Sequence, residues 1–207
     1  MGQDKLPTRR RLPHIKIMKT LIVVPRWSGT PAHDWYPWIG TKLHGSSTYS
    51  PVVIADMPDP GLPTIDGWRQ ALAAIAGADP GALSSTVLVG HSVGAQAVLH
   101  FLAELPDGVQ IASALFVAGW WSVDQPWESI RPWVNHSHAH ARIRRAAKSL
   151  HVLISDNDPF TAGHAENAEL WRSRLGATVR MVPGAKHFNG AEEPAVHAAL
   201  ERIAAEA

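Results

Sequence analysis

One stretch constrains this chain more than any other: Ser85-Thr86-Val87-Leu88-Val89-Gly90-His91-Ser92-Val93-Gly94-Ala95. An apolar, largely β-branched run leads into Gly-x-Ser-x-Gly. An alanine-rich segment of helical spacing follows, from Gln96 to Leu105. The pattern predicts a strand, a sharp turn and a helix, with a serine at the apex. A serine in so tight a turn takes up a strained backbone with positive φ. Gly90 and Gly94 must lack side chains so that strand and helix can approach. The turn would hold the Ser92 hydroxyl proud of the sheet, and the amide of Val93 would point where an oxyanion forms. This is the pattern of a nucleophile elbow. The pentapeptide alone is a weak signal; its setting between a strand-like run and a helix gives it weight.

The rest of the chain supplies the scaffold such an elbow needs. Thr20–Val24, Pro51–Ala55, Thr86–Val89, Ala112–Ala118, His151–Ile154 and Ala177–Val182 read as short buried strands. Between them, Trp35–Leu43, Ile65–Ala76, the elbow helix and Ala165–Leu175 have helical character, and Ala191–Ala205 closes the chain. Gly119–Ala147 reads as irregular, then basic and helical. Strands alternating with helices predict an α/β protein, a mostly parallel six-stranded sheet with helices on both faces. Ligands bind such sheets beyond the carboxyl ends of the strands.

Composition narrows the function. The 207 residues suffice for one domain with a core. With 19 basic and 18 acidic residues there is no electrostatic footprint for nucleic acid. No apolar run approaches a membrane span, so no membrane association is expected. The chain has no cysteine, which excludes disulfides, a thiol nucleophile and Cys-ligated zinc, and fits a cytoplasmic location. Residues 1–17 are basic and broken by Pro7 and Pro13; they read as a disordered tail rather than a secretory signal. The domain is expected over 18–207.

A serine hydroxyl needs a base, most often a histidine oriented by a carboxylate. Among twelve histidines, His187 stands out, in a loop just after the last strand. The acid is expected from Ser155-Asp156-Asn157-Asp158-Pro159-Phe160, after the fifth strand, where Asp156 or Asp158 could serve. Asp124, after the fourth, is a reserve. The chain order Ser, Asp, His matches the hydrolase class. His136-Ser137-His138-Ala139-His140 invites a metal reading. No carboxylate or cysteine accompanies it, and alternating histidines share a face only in a strand. It is read as a polar face; no metal and no cofactor are expected.

The elbow Gly-His-Ser-Val-Gly, the run Ser-Asp-Asn-Asp-Pro-Phe and the terminal Lys-His-Phe-Asn resemble the small α/β-hydrolases of the retinoblastoma-binding-protein-9 and YdeN group. Asp34-Trp35-Tyr36-Pro37-Trp38 and Met57-Pro58-Asp59-Pro60 belong to the same likeness, which spans residues 18–207. The resemblance implies Asp158 as the triad acid with Ser92 and His187, and an α/β-hydrolase fold without the large lid domain of lipases. Where the family usually has Gly-His-Phe, this chain has Lys186-His187-Phe188. Its first loop reads Pro-Arg-Trp-Ser-Gly rather than a glycine-rich run, which makes Trp27 the second oxyanion amide beside Val93. Gly119–Arg145 is the one stretch able to cover the site. Its Trp120 and Trp121 are expected beside the serine, with Trp127 and Trp133 adding to an apolar wall. The expected activity is hydrolysis of small carboxylic esters, with amides and thioesters open to the same machinery. A protein-interaction module with little turnover is the alternative, its partner unspecified.

Overall fold

Alternate residues of each strand bury on opposite faces of one sheet, and that two-sided burial makes the strands apolar almost throughout. The structure, a computed structural model, describes residues 18–206. The tail read over residues 1–17 lies outside them. In chain order the elements are β1 (Lys19–Val24), α1 (Tyr36–Lys42), β2 (Tyr49–Ile54), α2 (Ile65–Ala76) and α3 (Pro80–Leu83). Then come β3 (Thr86–His91), α4 (Val93–Glu104), β4 (Ser113–Val117), a 3₁₀ turn at Glu128–Ile130, α5 (Arg131–Val134) and α6 (His140–Ala146). The chain finishes with β5 (Leu150–Ser155), α7 (His164–Leu175), β6 (Thr178–Val182) and α8 (Pro194–Ala205).

The strands form one six-stranded sheet in the order β2-β1-β3-β4-β5-β6. Every pairing is parallel. Ile22, Val24, Leu88, Ala114, Phe116 and Val152 pack on one face against α2, α4, α6 and α7. Leu21, Val23, Val87, Val89, Leu115 and Leu153 pack on the other, against α1 and α8. Trp68, Trp133 and Trp171 fill the first core, Trp35 and Tyr36 the second. The strand order reverses direction between β1 and β3, and the crevice beyond that point is where an open α/β sheet takes a ligand.

Three departures from the sequence reading have local causes. α4 starts at Val93, not Gln96, because Gly94 and Ala95 already belong to its first turn. α3 has no counterpart among the predicted elements; Pro80 at its first position is preset for a helix, and Asp79 accepts a hydrogen bond from the Ala82 amide at 2.6 Å. Gly119–Ala147 holds the 3₁₀ turn and two short helices, which together supply a cover of modest size over the strand ends.

Candidate active site

Ser92 stands between β3 and α4 at φ 56°, ψ −117°, a backbone that L-residues avoid. Two close approaches hold it there. A Cβ on Gly94 would lie 2.4 Å from the Val24 carbonyl oxygen of β1. One on Gly90 would lie 2.5 Å from the Gly94 carbonyl oxygen. Both glycines are therefore required by packing. The Ser92 amide donates to the Val117 carbonyl at 2.9 Å, which ties the apex to β4. Val93 is the first residue of α4, so its amide is one of the unpaired donors at the helix start. Positive φ recurs around the same sheet edge: Ser28 after β1, Ala118 after β4, and Lys186 and Phe188 on either side of His187.

The loops after β5 and β6 interlock. Asp158 Oδ2 and His187 Nδ1 lie 2.7 Å apart, and both side chains are buried. Asp158 Oδ1 accepts from the Phe160 amide at 2.9 Å. Asp156 faces away, accepting from the Gly184 amide at 2.8 Å, while Asn157 accepts from the Lys186 amide at 2.7 Å. Asp124 accepts from the Ala162 amide at 2.7 Å and braces the outside of the Asp158 loop. Of the three candidate carboxylates, Asp158 is the one against the imidazole.

Ser92 and His187 line one cavity of about 340 Å³, walled by Trp27, Trp120, Val123, Trp127, Ile130 and Phe160. Trp27 meets Trp127 edge to face at 5.3 Å between centroids, and Phe160 meets the His187 ring at 4.7 Å. Trp120 and Trp121, expected together at the serine, separate. Trp120 is in this wall, whereas Trp121 packs on Trp171 and faces a second cavity on the other side of the cover. Trp133 is fully buried and donates to the Pro63 carbonyl, so it is core rather than wall. Arg26 also lines the serine cavity, its guanidinium held by both carboxylate oxygens of Asp34 at 2.7 and 3.1 Å.

A chain of hydrogen bonds beneath the site, through Tyr36 and His91, escapes sequence reasoning. The Arg26 amide donates to Tyr36 Oη at 2.9 Å, and Tyr36 Oη lies 2.7 Å from His91 Nδ1. His91 Nε2 lies 2.8 Å from the His187 carbonyl oxygen. A carbonyl only accepts, so His91 carries its proton on Nε2, and the Tyr36 hydroxyl donates to Nδ1. Burial pushes the Tyr36 phenol up and keeps it protonated. Burial, and then the proximity of His187, push the His91 imidazole well below its usual range. The chain of bonds ties the β1 loop, α1 and β3 to the loop carrying His187. His91 sits at a variable position of the elbow, where residue type alone signals nothing.

The histidine run also rearranges. His140 packs on Trp121, while His136 and His138 meet His100 of α4, a residue that the sequence pattern does not connect to them.

The family model for serine hydrolases matches residues 21–203. This chain belongs to that family. It is 24% identical over 146 residues to YdeN of Bacillus subtilis (strain 168), covering 69% of this chain and 74% of the relative. The crystal structure of the B. subtilis ydeN gene product superposes with a TM-score of 0.77 at 22% identity, over 90% of this chain and 98% of that one. The esterase RhEst1 from Rhodococcus sp. ECU1013 superposes with a TM-score of 0.61 at 17% identity, over 89% of both chains. The fold is that of the α/β-hydrolases, and the described residues include no large lid domain. Among the described residues, no helix is long and apolar enough to cross a membrane.

Proposed function

We propose that this serine hydrolase cleaves small carboxylic esters through an acyl-enzyme, with Ser92 as nucleophile, His187 as base and acid, and Asp158 orienting the imidazole. The observation that carries the reading is the buried 2.7 Å contact of Asp158 with His187, in the wall of a cavity that Ser92 also lines. A carboxylate only accepts, so Nδ1 holds the proton and Nε2 keeps a lone pair. That lone pair takes the Ser92 proton as Oγ bonds to the ester carbonyl carbon. The same proton then goes to the departing alcohol. In the second half-reaction His187 takes a proton from water, the water oxygen bonds to the acyl carbon, and Ser92 leaves with that proton.

The oxyanion of each tetrahedral intermediate would sit at the start of α4, on the Val93 amide. Trp27 is the second donor. Support comes from its neighbours, since the amides of Arg26, Ser28 and Gly29 donate to Tyr36, Pro60 and Arg26 respectively. Esters are preferred to amides and thioesters because an esterase shares this fold. The hydrolase domain is assigned to 18–207, and the cysteine-free chain suits the cytoplasm.

Ser92→Ala tests the mechanism. The purified variant should keep the circular dichroism of the parent, yet lose both fluorophosphonate labelling and hydrolysis of p-nitrophenyl esters. Undiminished hydrolysis would reject it.

A further inference from the structure

A second cavity, of about 320 Å³, lies between α4, α7 and the segment joining α5 to α6, and it shares no lining residue with the serine cavity. Two of its lining residues, His136 and His138, belong to a cluster of three imidazoles. His100 comes from α4, and His136 and His138 come from the α5–α6 segment; one nitrogen from each lies within 4.8 Å of the others. The ring centroids are 4.2, 4.7 and 5.5 Å apart.

The hydrogen bonds around the cluster leave two ring nitrogens over. Gln96 Nε2 donates to the Trp120 carbonyl at 2.6 Å, which fixes its amide orientation because that carbonyl can only accept. Gln96 Oε1 is then the acceptor for His138 Nε2 at 3.0 Å. With its proton on Nε2, a neutral His138 presents a bare lone pair at Nδ1. That Nδ1 is buried and has no hydrogen-bond partner, and the same holds for Nε2 of His100. Unpartnered buried polar atoms are costly, and two in one cluster call for a ligand.

We infer that His100, His136 and His138 form a three-imidazole site for a divalent transition ion of the zinc class, with water as the fourth ligand. Zinc takes imidazole nitrogens at about 2.0–2.1 Å, which sets them about 3.4 Å apart in a tetrahedron. His136, exposed on its loop, supplies the inward movement. Gln96 acts as the outer partner that fixes ring orientation and tautomer. An all-imidazole set without carboxylates suits zinc, nickel or copper, not magnesium or calcium. Of the cations near the cluster, Arg69 pairs with Glu104 and Asp66, and Arg174, which also lines the cavity, lies over the Trp121 ring at 4.9 Å. The ion would fasten the cover segment to the elbow's own helix. No step of ester hydrolysis runs through it, and the site stands whether or not the ester reading does.

The test uses full-length, tag-free protein stripped with a chelator. Equilibrium dialysis should give one Zn²⁺ per chain, and Co²⁺ in its place should give the intense visible bands of a tetrahedral site. His136→Asn, at an exposed position that does not threaten the fold, should weaken Zn²⁺ binding at least about tenfold and abolish the Co²⁺ bands. His44→Asn, at an exposed histidine remote from the cluster, should change neither. Zn²⁺ binding that is equally tight in the parent and in His136→Asn would overturn the proposal. So would an equal loss on His44→Asn.

Discussion

Asp156 and Asp158 differ in what they face. Asp156 holds the Gly184 amide, while Asp158 holds His187 Nδ1. Asp158→Asn would offer the imidazole an amide in place of a carboxylate and favour the wrong tautomer. We expect kcat on a p-nitrophenyl ester to fall by on the order of 10⁴. Asp156→Asn keeps an oxygen for Gly184 and should cost less than about tenfold by the same reasoning. The reverse ranking would remove Asp158 from the mechanism. Their position after a strand leaves both aspartates open in the sequence, and Asp158's place before Pro159 and the family likeness rank them, because the direction of a side chain in a turn depends on bonds to a loop 28 residues away. Lys186 makes a second case. It stands at φ 51°, where glycine is at ease and an L-residue costs roughly 1–2 kcal/mol. Lys186→Gly should therefore raise stability by about 0.5–1 kcal/mol, once the larger chain entropy of glycine is subtracted. A lower urea midpoint for the variant would contradict this.

Elements whose apolar spacing is regular are the ones the sequence discloses. α2 spans Ile65–Ala76 on both readings, since Trp68 and Leu72 mark its buried face. Strand and helix ends move by one to three residues, because capping and tertiary hydrogen bonds decide them. What spacing cannot disclose is how loops from distant elements join. Arg26, Phe160 and His91 enter the site that way; Arg26 and Phe160 adjoin residues already singled out, and adjacency was the available clue. The Arg26–Tyr36–His91–His187 chain makes a prediction at this scale. His91 is buried, faced by the Tyr36 hydroxyl from α1, the His187 ring and carbonyl from the β6 loop, and Arg26 from the β1 loop. Its folded pKa is lowered, so the unfolded chain binds the proton first as pH falls below about 6.5. The stability His91 contributes is complete above that value. It is lost below it, at up to about 1.4 kcal/mol per pH unit. The difference in unfolding free energy between the parent and His91→Gln should then shrink between pH 7.5 and pH 5. A difference independent of pH would show that His91 does not stay neutral in the fold.

At the scale of the whole molecule, the sheet begins at Lys19 and the family match at residue 21. Deleting residues 1–17 should therefore leave kcat/KM and the melting temperature unchanged; a drop of several degrees would count against that boundary. The shape of the molecule also limits its substrate. Its cover is a 3₁₀ turn and two short helices, and the serine cavity of about 340 Å³ is closed on the inside by Trp120, which is almost fully buried. At the mouth, Trp127 and Phe160 are 39% and 41% exposed, so a longer chain would leave the aromatic wall for water. Each methylene buried contributes about 0.8 kcal/mol, close to fourfold in kcat/KM, until the cavity is full. We expect kcat/KM on p-nitrophenyl esters to peak at acyl chains of about two to six carbons and then level or fall. Trp120→Ala should shift that peak to longer chains by opening the inner wall. Trp121→Ala should leave the peak in place, because Trp121 faces the histidine cavity. A rate that climbs through ten or more carbons, or a peak that moves with Trp121 and not with Trp120, would mean that the acyl chain runs elsewhere and that lipid esters fit better than small ones.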